Sequence, residues 1–269
     1  MKKKVTIKDI ARESGVSVAT VSYVLNDRKD QKISETTRNK VLQIVNLYNY
    51  KGNASARNLA RGKTFNIALY TGEASSRIGA LDEFAFVKAL TTRIARDGYD
   101  LVYHGNGPVE SLTNVDGIIF HGTTNEFFRE ASPINLAPIV LVDMVVGDPL
   151  FYEINNSSSK VGEEAIKAFD YQSFKLLLPQ GINAQLRSRL RRTYHCIDIE
   201  TSEELQTYLL NNPTERLVAY GKEFGKLAQL FKKDVLIFDH LTSDKVEAVW
   251  HSLKRAMDRE EILHNEVNI

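Results

Sequence analysis

Serine, threonine and small apolar residues crowd the stretch Val5–Leu25, VTIKDIARESGVSVATVSYVL, in a pattern suited to hydrogen bonding with a nucleic acid rather than to bond making. Thr6, Ser17, Thr20 and Ser22 carry hydroxyls that can reach phosphates or base edges, and Val18 and Ala19 can touch thymine methyls. Tyr23 offers one hydroxyl and a ring, to read a base or to pack on the neighbouring backbone, and Asn26 completes this candidate set. Chemistry of other kinds has no residues to carry it. The chain has no P-loop, no strand-linked GxGxxG and no HExxH, so no catalytic residue, metal ligand or cofactor is expected. The six His do not fall at ligand spacings, and the GNG at Gly105–Gly107 lacks a following helix start and reads as a turn. Cys196 is the one cysteine, which excludes a disulfide framework and reads as a small buried hydrophobe.

The elements that position these groups follow from local signals. Thr6 is a good N-cap with Asp9 three residues on, a capping-box variant, and Ile7, Ile10 and Ala11 recur at helical spacing. Gly15 can take the left-handed conformation that ends this helix. Ser17 caps a second helix, Val18–Leu25, with Val21, Val24 and Leu25 inward and Val18, Ala19, Thr20, Ser22 and Tyr23 outward. Two short helices joined by a tight turn make a helix-turn-helix, although the string alone also fits an ordinary helical hairpin. Ser34 caps a third helix, Glu35–Tyr48, whose Val41, Leu42, Ile44, Val45 and Tyr48 form one apolar face. Then comes YKGNASARNLARGK, Tyr50–Lys63, with Leu59 as its one large aliphatic residue.

The strings TIKDIA, GVSVATVS, VLN and NASARNLARG stand in the order of the lac repressor (LacI/GalR) family of bacterial transcription regulators. Residues 1–63 resemble that family closely and the remainder more weakly, with a lean toward regulators of galactoside utilisation. The resemblance implies a hinge helix over about residues 53–61 that folds when two copies meet in a minor groove, with a plain flexible linker as the alternative. There Leu59 would wedge between base pairs, Ala56 would let the copies approach, and Asn53, Ser55 and Arg57 would face phosphates or bases. It also implies a homodimer on double-stranded operator DNA and a small-molecule effector, most often a sugar. Asp239 matches an acid that bonds sugar hydroxyls, or is a strand-end cap. Arg189 or Arg191 would replace the sugar-clamping arginine, or belong to a solvated basic helix. Asn156 belongs to the crossover pair, which reads Asn155–Asn156 where the family has Asp–Asn. Two departures concern DNA: Tyr23 replaces an arginine suited to guanine, and Gly52 stands where proline is usual.

Charge supports the division independently. Residues 1–63 hold 14 Lys and Arg against 5 Asp and Glu, net +9, and residues 64–269 hold 21 against 29, net −8. A net charge of +1 thus hides a basic head on an acidic body, and the head points to a polyanion partner.

The expected fold class is α/β. An N-terminal all-α helix-turn-helix DNA-binding domain plus hinge helix (1–63) precedes a two-lobed effector-binding and dimerisation core with parallel sheets (64–269). Short apolar runs at Phe65–Tyr70, Asp100–His104, Gly117–Phe120, Ile139–Asp143, Phe174–Leu178, His195–Ile199, Leu217–Tyr220 and Val235–Phe238 read as strands buried on both faces. Helical patterns at Leu81–Arg96, Ser157–Phe169, Ser202–Leu210, Lys222–Phe231 and Ser243–Met257 alternate with them, and HNEVNI reads as a returning strand. Periodicity alone yields only α/β; the resemblance makes the core periplasmic-binding-protein-like, with one lobe trimmed. Lys2–Lys4 are not followed by an apolar core and no run approaches membrane-spanning length, so a cytoplasmic chain with no membrane partner is expected. Three functions fit: a ligand-responsive repressor, a DNA-binding regulator whose core binds no small molecule or answers to a phosphoprotein, and a sugar-binding module or sugar enzyme with an incidental helical head.

Overall fold

The computed structural model describes residues 5–25, 31–48, 50, 63–72, 77–170, 172–260 and 265–269. The chain divides into two compact units, residues 1–63 and 64–269.

In the first unit, α1 (Ile7–Ser14), α2 (Val18–Leu25) and α3 (Glu35–Leu47) surround Ile10, Ala11, Val21, Val24 and Val41. The capping box forms: the Asp9 amide bonds Thr6 Oγ1 and the Thr6 amide bonds Asp9 Oδ2 at 2.9 Å. Gly15 ends α1 at φ +69°, where any Cβ would be strained. The Thr20 amide bonds Ser17 Oγ at 3.0 Å, and Ser34 receives the Thr37 amide at 3.2 Å. One expectation is corrected: Leu42 and Tyr48 are exposed, so the buried stripe of α3 is narrower than its apolar residues suggest and rests on Val41, with Ile44 and Val45 beside it.

The second unit contains two parallel sheets. The first holds β1 (Asn66–Thr71), β2 (Asp100–Gly105), β3 (Gly117–His121), β4 (Ile139–Val142), β5 (Tyr152–Asn155) and β10 (Glu266–Asn268), in the order β10-β5-β4-β3-β1-β2. The second holds β6 (Lys175–Pro179), β7 (Cys196–Ile199), β8 (Leu217–Tyr220) and β9 (Leu236–Phe238), in the order β7-β6-β8-β9. The chain leaves the first lobe after β5 and returns after β9.

Helices α4 (Arg77–Ala95) and α10 (Ser243–Met257) cover one face of the first sheet, where Phe86, Leu90, Val249, Trp250 and Leu253 meet Ile67, Leu69 and Ile119. The opposite face is covered by α5 (Asn125–Ala131) and by Val109, Leu112 and Val115 of the β2–β3 connection. That connection, residues 106–116, contains no helix. In the second lobe, α6 (Ser158–Ala168) and α7 (Ala184–Thr193) cover one face, and α8 (Ser202–Asn211) and α9 (Lys222–Gln229) the other.

Short apolar runs become strands here because both faces are covered, so every position along β3 and β4 can be apolar. Both sheets reverse direction beside their first strand, between β1 and β3 and between β6 and β8. Such switch points open crevices at the carboxyl ends of the strands.

Candidate nucleic-acid interface and interlobe cleft

On the first unit, the capped start of α2 sets out Ser17, Val18 and Ala19 as exposed side chains, while Thr20, Ser22 and Tyr23 are partly covered. Thr6 is exposed at the start of α1. Ser17 Oγ and Thr20 Oγ1 lie 2.9 Å apart, so their hydroxyls already face each other. Val21 and Val24 lock the opposite side of α2 into the core. A helix eight residues long with this outward set can lie in a major groove without bulky obstruction. Asn26, Asn53, Ser55, Ala56, Arg57 and Leu59 lie outside the described residues.

On the second unit, the carboxyl ends of strands from both sheets meet around a cavity of about 70 Å³. Its wall includes Gly72 after β1, His121 and Gly122 from β3, Asp143 after β4, Gln180 and Gly181 after β6, Tyr220 ending β8 and His240 after β9. Asp82 and Glu83 of α4, Asn183 and Leu186 complete it. The switch-point geometry therefore delivers the site.

A charged cluster sits at its floor. Asp143, in the left-handed region at φ +52°, accepts a hydrogen bond from Lys245 Nζ at 2.5 Å, and His121 Nε2 lies 3.3 Å from its second oxygen. Burial alone would raise the Asp143 carboxyl; Lys245, with His121 and His240, instead holds it well below the usual carboxylate range. Burial lowers Lys245, an effect that Asp143 only partly offsets. The Tyr220 ring stacks on His240 with centroids 4.7 Å apart. Burial and the nearby Asp143 charge raise the Tyr220 hydroxyl well above its ordinary value. Glu83 is engaged by Thr71 Oγ1 at 3.0 Å and by the Tyr103 hydroxyl.

The residues expected to hold an effector fall elsewhere. Asp239 accepts the Leu241 amide at 3.2 Å and pairs with Lys222 at 3.4 Å, the local cap alternative, and is not in the cavity wall. Arg189 pairs with Glu266 at 3.8 Å beside Arg192 and Ser157, and Arg191 pairs with Asp198; neither lines the cavity. Both belong to the basic helix α7, where Arg191 pairs within its own lobe with Asp198 and Arg189 reaches Glu266 on β10 of the first lobe. Asn156 lies behind the wall, donating to the His240 carbonyl at 2.8 Å. Cys196 is half-buried rather than buried, because β7 is the edge strand of its sheet; burial pushes its thiol up to about 11.

Sequence reasoning missed Asp82, His121, Asp143, Tyr220 and Lys245. The signal for four of them was present: each follows or ends an apolar strand, or starts the helix after one. Among the described residues no group of three or more His, Cys, Asp or Glu is placed to hold a metal ion, and no helix is long and apolar enough to cross a membrane.

A three-helix head and a two-lobed, doubly wound core define a class: a periplasmic-binding-protein-like core joined to a helix-turn-helix. Residues 6–53 match the family of bacterial regulatory proteins, lacI family. Catabolite control protein A of Streptococcus mutans is 31% identical over 197 residues, covering 68% of this chain and 58% of that protein. Its Staphylococcus aureus namesake is 26% identical over 257 residues, covering 91% and 72%. The chain thus spans under two thirds of the length of the first relative. The lac repressor dimer bound to operator and the anti-inducer ONPF has the same fold, with a TM-score of 0.66 at 18% identity over 99% of this chain and 96% of that one. Residues 6–53 thus carry the N-terminal domain of the lacI family, and the chain as a whole shares the fold of the lac repressor.

Proposed function

We propose that this chain is a cytoplasmic DNA-binding transcriptional repressor that acts as a homodimer and whose operator affinity is set by a small molecule, a sugar, held between its lobes. One observation carries the reading: the capped, Gly-turned pair α1–α2 holds a helix whose outward side chains are small or hydroxylic, inside a segment that matches the lacI family. Thr6, Ser17, Val18, Ala19, Thr20, Ser22, Tyr23 and Asn26 are the proposed major-groove and phosphate contacts. Asn53, Ser55, Ala56, Arg57 and Leu59 are the proposed minor-groove set. The net +9 of residues 1–63 supports a DNA partner, and the lac repressor dimer on its operator supports the twofold arrangement.

The cleft supports an uncharged, hydroxyl-rich effector. Asp82, Glu83 and Asp143 disfavour an anion, while the stacked Tyr220 and His240 rings offer an apolar platform. A core that answers to no small molecule is the second reading, and the cavity volume favours it. About 70 Å³ is more than one water needs and small for a sugar ring.

Gel retardation of the full chain on fragments of its own genome tests the primary reading. A few fragments should be retained far more tightly than bulk DNA, with affinity falling about 0.9 log units per phosphate contact for each log unit of salt. Equal retention of all fragments at low ionic strength would refute it. Thermal unfolding with a panel of sugars separates the two readings of the core: a true effector at 100 times its Kd adds about 2.7 kcal/mol, and a flat panel favours the second.

A further inference from the structure

Helix α9 begins without a cap of its own. Gly221 stands at its N-cap and makes no side-chain cap hydrogen bond, so the first amides of the helix need an outside acceptor. The acceptor comes from the other lobe. Asp82, on α4 of the first lobe, receives the Glu223 amide on Oδ1 at 2.9 Å and the Phe224 amide on Oδ2 at 3.1 Å. Its side chain is almost wholly enclosed. A Cβ on Gly221 would lie 2.5 Å from Asp82 Oδ2, so glycine is what lets the carboxylate enter. The positive end of the helix then faces a full negative charge, a favourable pairing in an enclosed setting.

The contact is one part of a seam. Ile78, one helical turn before Asp82 and on the same face of α4, is buried in the second lobe's core with Leu177 and Phe224. Between them Gly79 approaches so closely that a Cβ would meet the Gln180 carbonyl oxygen at 2.7 Å. Across the cavity, Asn183 caps α7 with its Oδ1 and donates from Nδ2 to the Thr123 carbonyl at 2.7 Å in the first lobe.

We propose that Asp82 is a built-in carboxylate ligand for the second lobe: a latch that holds the cleft shut with the protein's own group seated at the N-terminus of α9. The seat has the chemistry of a carboxylate site. An entering molecule must either offer an oxygen acceptor to the Glu223 and Phe224 amides in place of Asp82, or leave the latch closed. The latch does not depend on the DNA-binding reading, and its test uses neither DNA nor a sugar.

Hydrogen exchange on the full-length protein and on Asp82→Ala, followed by mass spectrometry, reads it directly. In Asp82→Ala, exchange should quicken about tenfold or more at residues 222–225. It should also quicken across the cavity at 121–126 and 180–187, which Asp82 does not touch. Sodium acetate, compared with sodium chloride at equal ionic strength, should slow all three segments in Asp82→Ala and none in the parent. Faster exchange confined to 222–225 would reduce Asp82 to a helix cap and overturn the latch. Opening that acetate does not reverse would overturn the carboxylate seat. Should Asp82→Ala fold poorly, Asp82→Asn keeps the volume with a single acceptor oxygen, and the same three segments should quicken to a smaller degree; unchanged exchange there would equally overturn the proposal.

Discussion

His240 closes β9 with its Nδ1 enclosed and without a hydrogen-bond partner, beside Asp143, Lys245, Asp82 and His121. Burial holds its imidazole below the ordinary value, with Lys245 and His121 adding to that and Asp143 and Asp82 opposing it. The sign of the consequence follows. Unfolded chains take up the proton near pH 6.5, whereas the folded protein does so only at lower pH, so acid draws the equilibrium toward unfolding. Stability should therefore fall as pH drops from 7.5 through 6.5 to 5.5, and His240→Gln should flatten this fall. Asp143, also held below its ordinary value, acts in the same direction in a separate window below about pH 4. Urea unfolding at the three upper values checks the first window, and equal pH dependence in parent and variant would exclude His240. None of this is legible in the string IFDH, because Asp143, Asp82 and His121, whose charges act on the imidazole, come from parts of the chain distant in sequence.

Elements were more legible than side-chain environments. All eight expected strands are present, because apolar runs of four to six residues between turn signals suit a covered parallel sheet. Tyr152–Asn155 does not read as a strand in the sequence, since Glu153 and Asn155 interrupt its apolar pattern. Their polarity is partly met inside: Glu153 Oε1 accepts the Val146 and Gly147 amides and Asn155 donates to the Met144 carbonyl, while Glu153 Oε2 and Asn155 Oδ1 are buried without a hydrogen-bond partner. Helix α5 was missed because Phe127 and Phe128 are adjacent and blur the helical period, although Thr124 is a clear cap. The latch left a faint trace: α9 starts at glycine, whereas Thr6, Ser34, Thr124, Ser157, Asn183, Thr201 and Thr242 cap other helices.

Helix α10 is the element whose packing matters most to the first lobe. Trp250 is buried against Tyr99, rings 5.1 Å apart, and its Nε1 donates to Asp97 at 2.6 Å. Trp250→Ala should cost about 3–5 kcal/mol in chemical unfolding, whereas Leu210→Ala, at an exposed position of α8, should stay within about 0.5 kcal/mol. Similar losses for both would show that α10 does not anchor the lobe.

At the scale of the whole molecule, the sequence separates a cationic segment from an anionic one, and the structure divides the chain at the same residues. The cleft was legible only as a consequence of fold. Parallel strands with switch points put their carboxyl ends together, but which residues stand there depends on where each strand stops, often by one position. Hence the sequence points to Asp239, whereas His240, one residue on, stands in the wall with Asp143 and His121. The proposed dimer has candidate contacts in exposed apolar side chains, among them Leu81 and Phe84 on α4 and Leu230 and Phe231 just past α9. Twofold pairing through such a face would present two heads, and an operator would mirror that symmetry.

Selection of duplexes from a random library by the full chain, with the stoichiometry of the selected complex measured, tests this most directly. The expected result is enrichment of two half-sites in inverted repeat, bound by two chains per duplex. Recovery of no preferred sequence at low ionic strength, or of a lone half-site bound by a single chain, would contradict it.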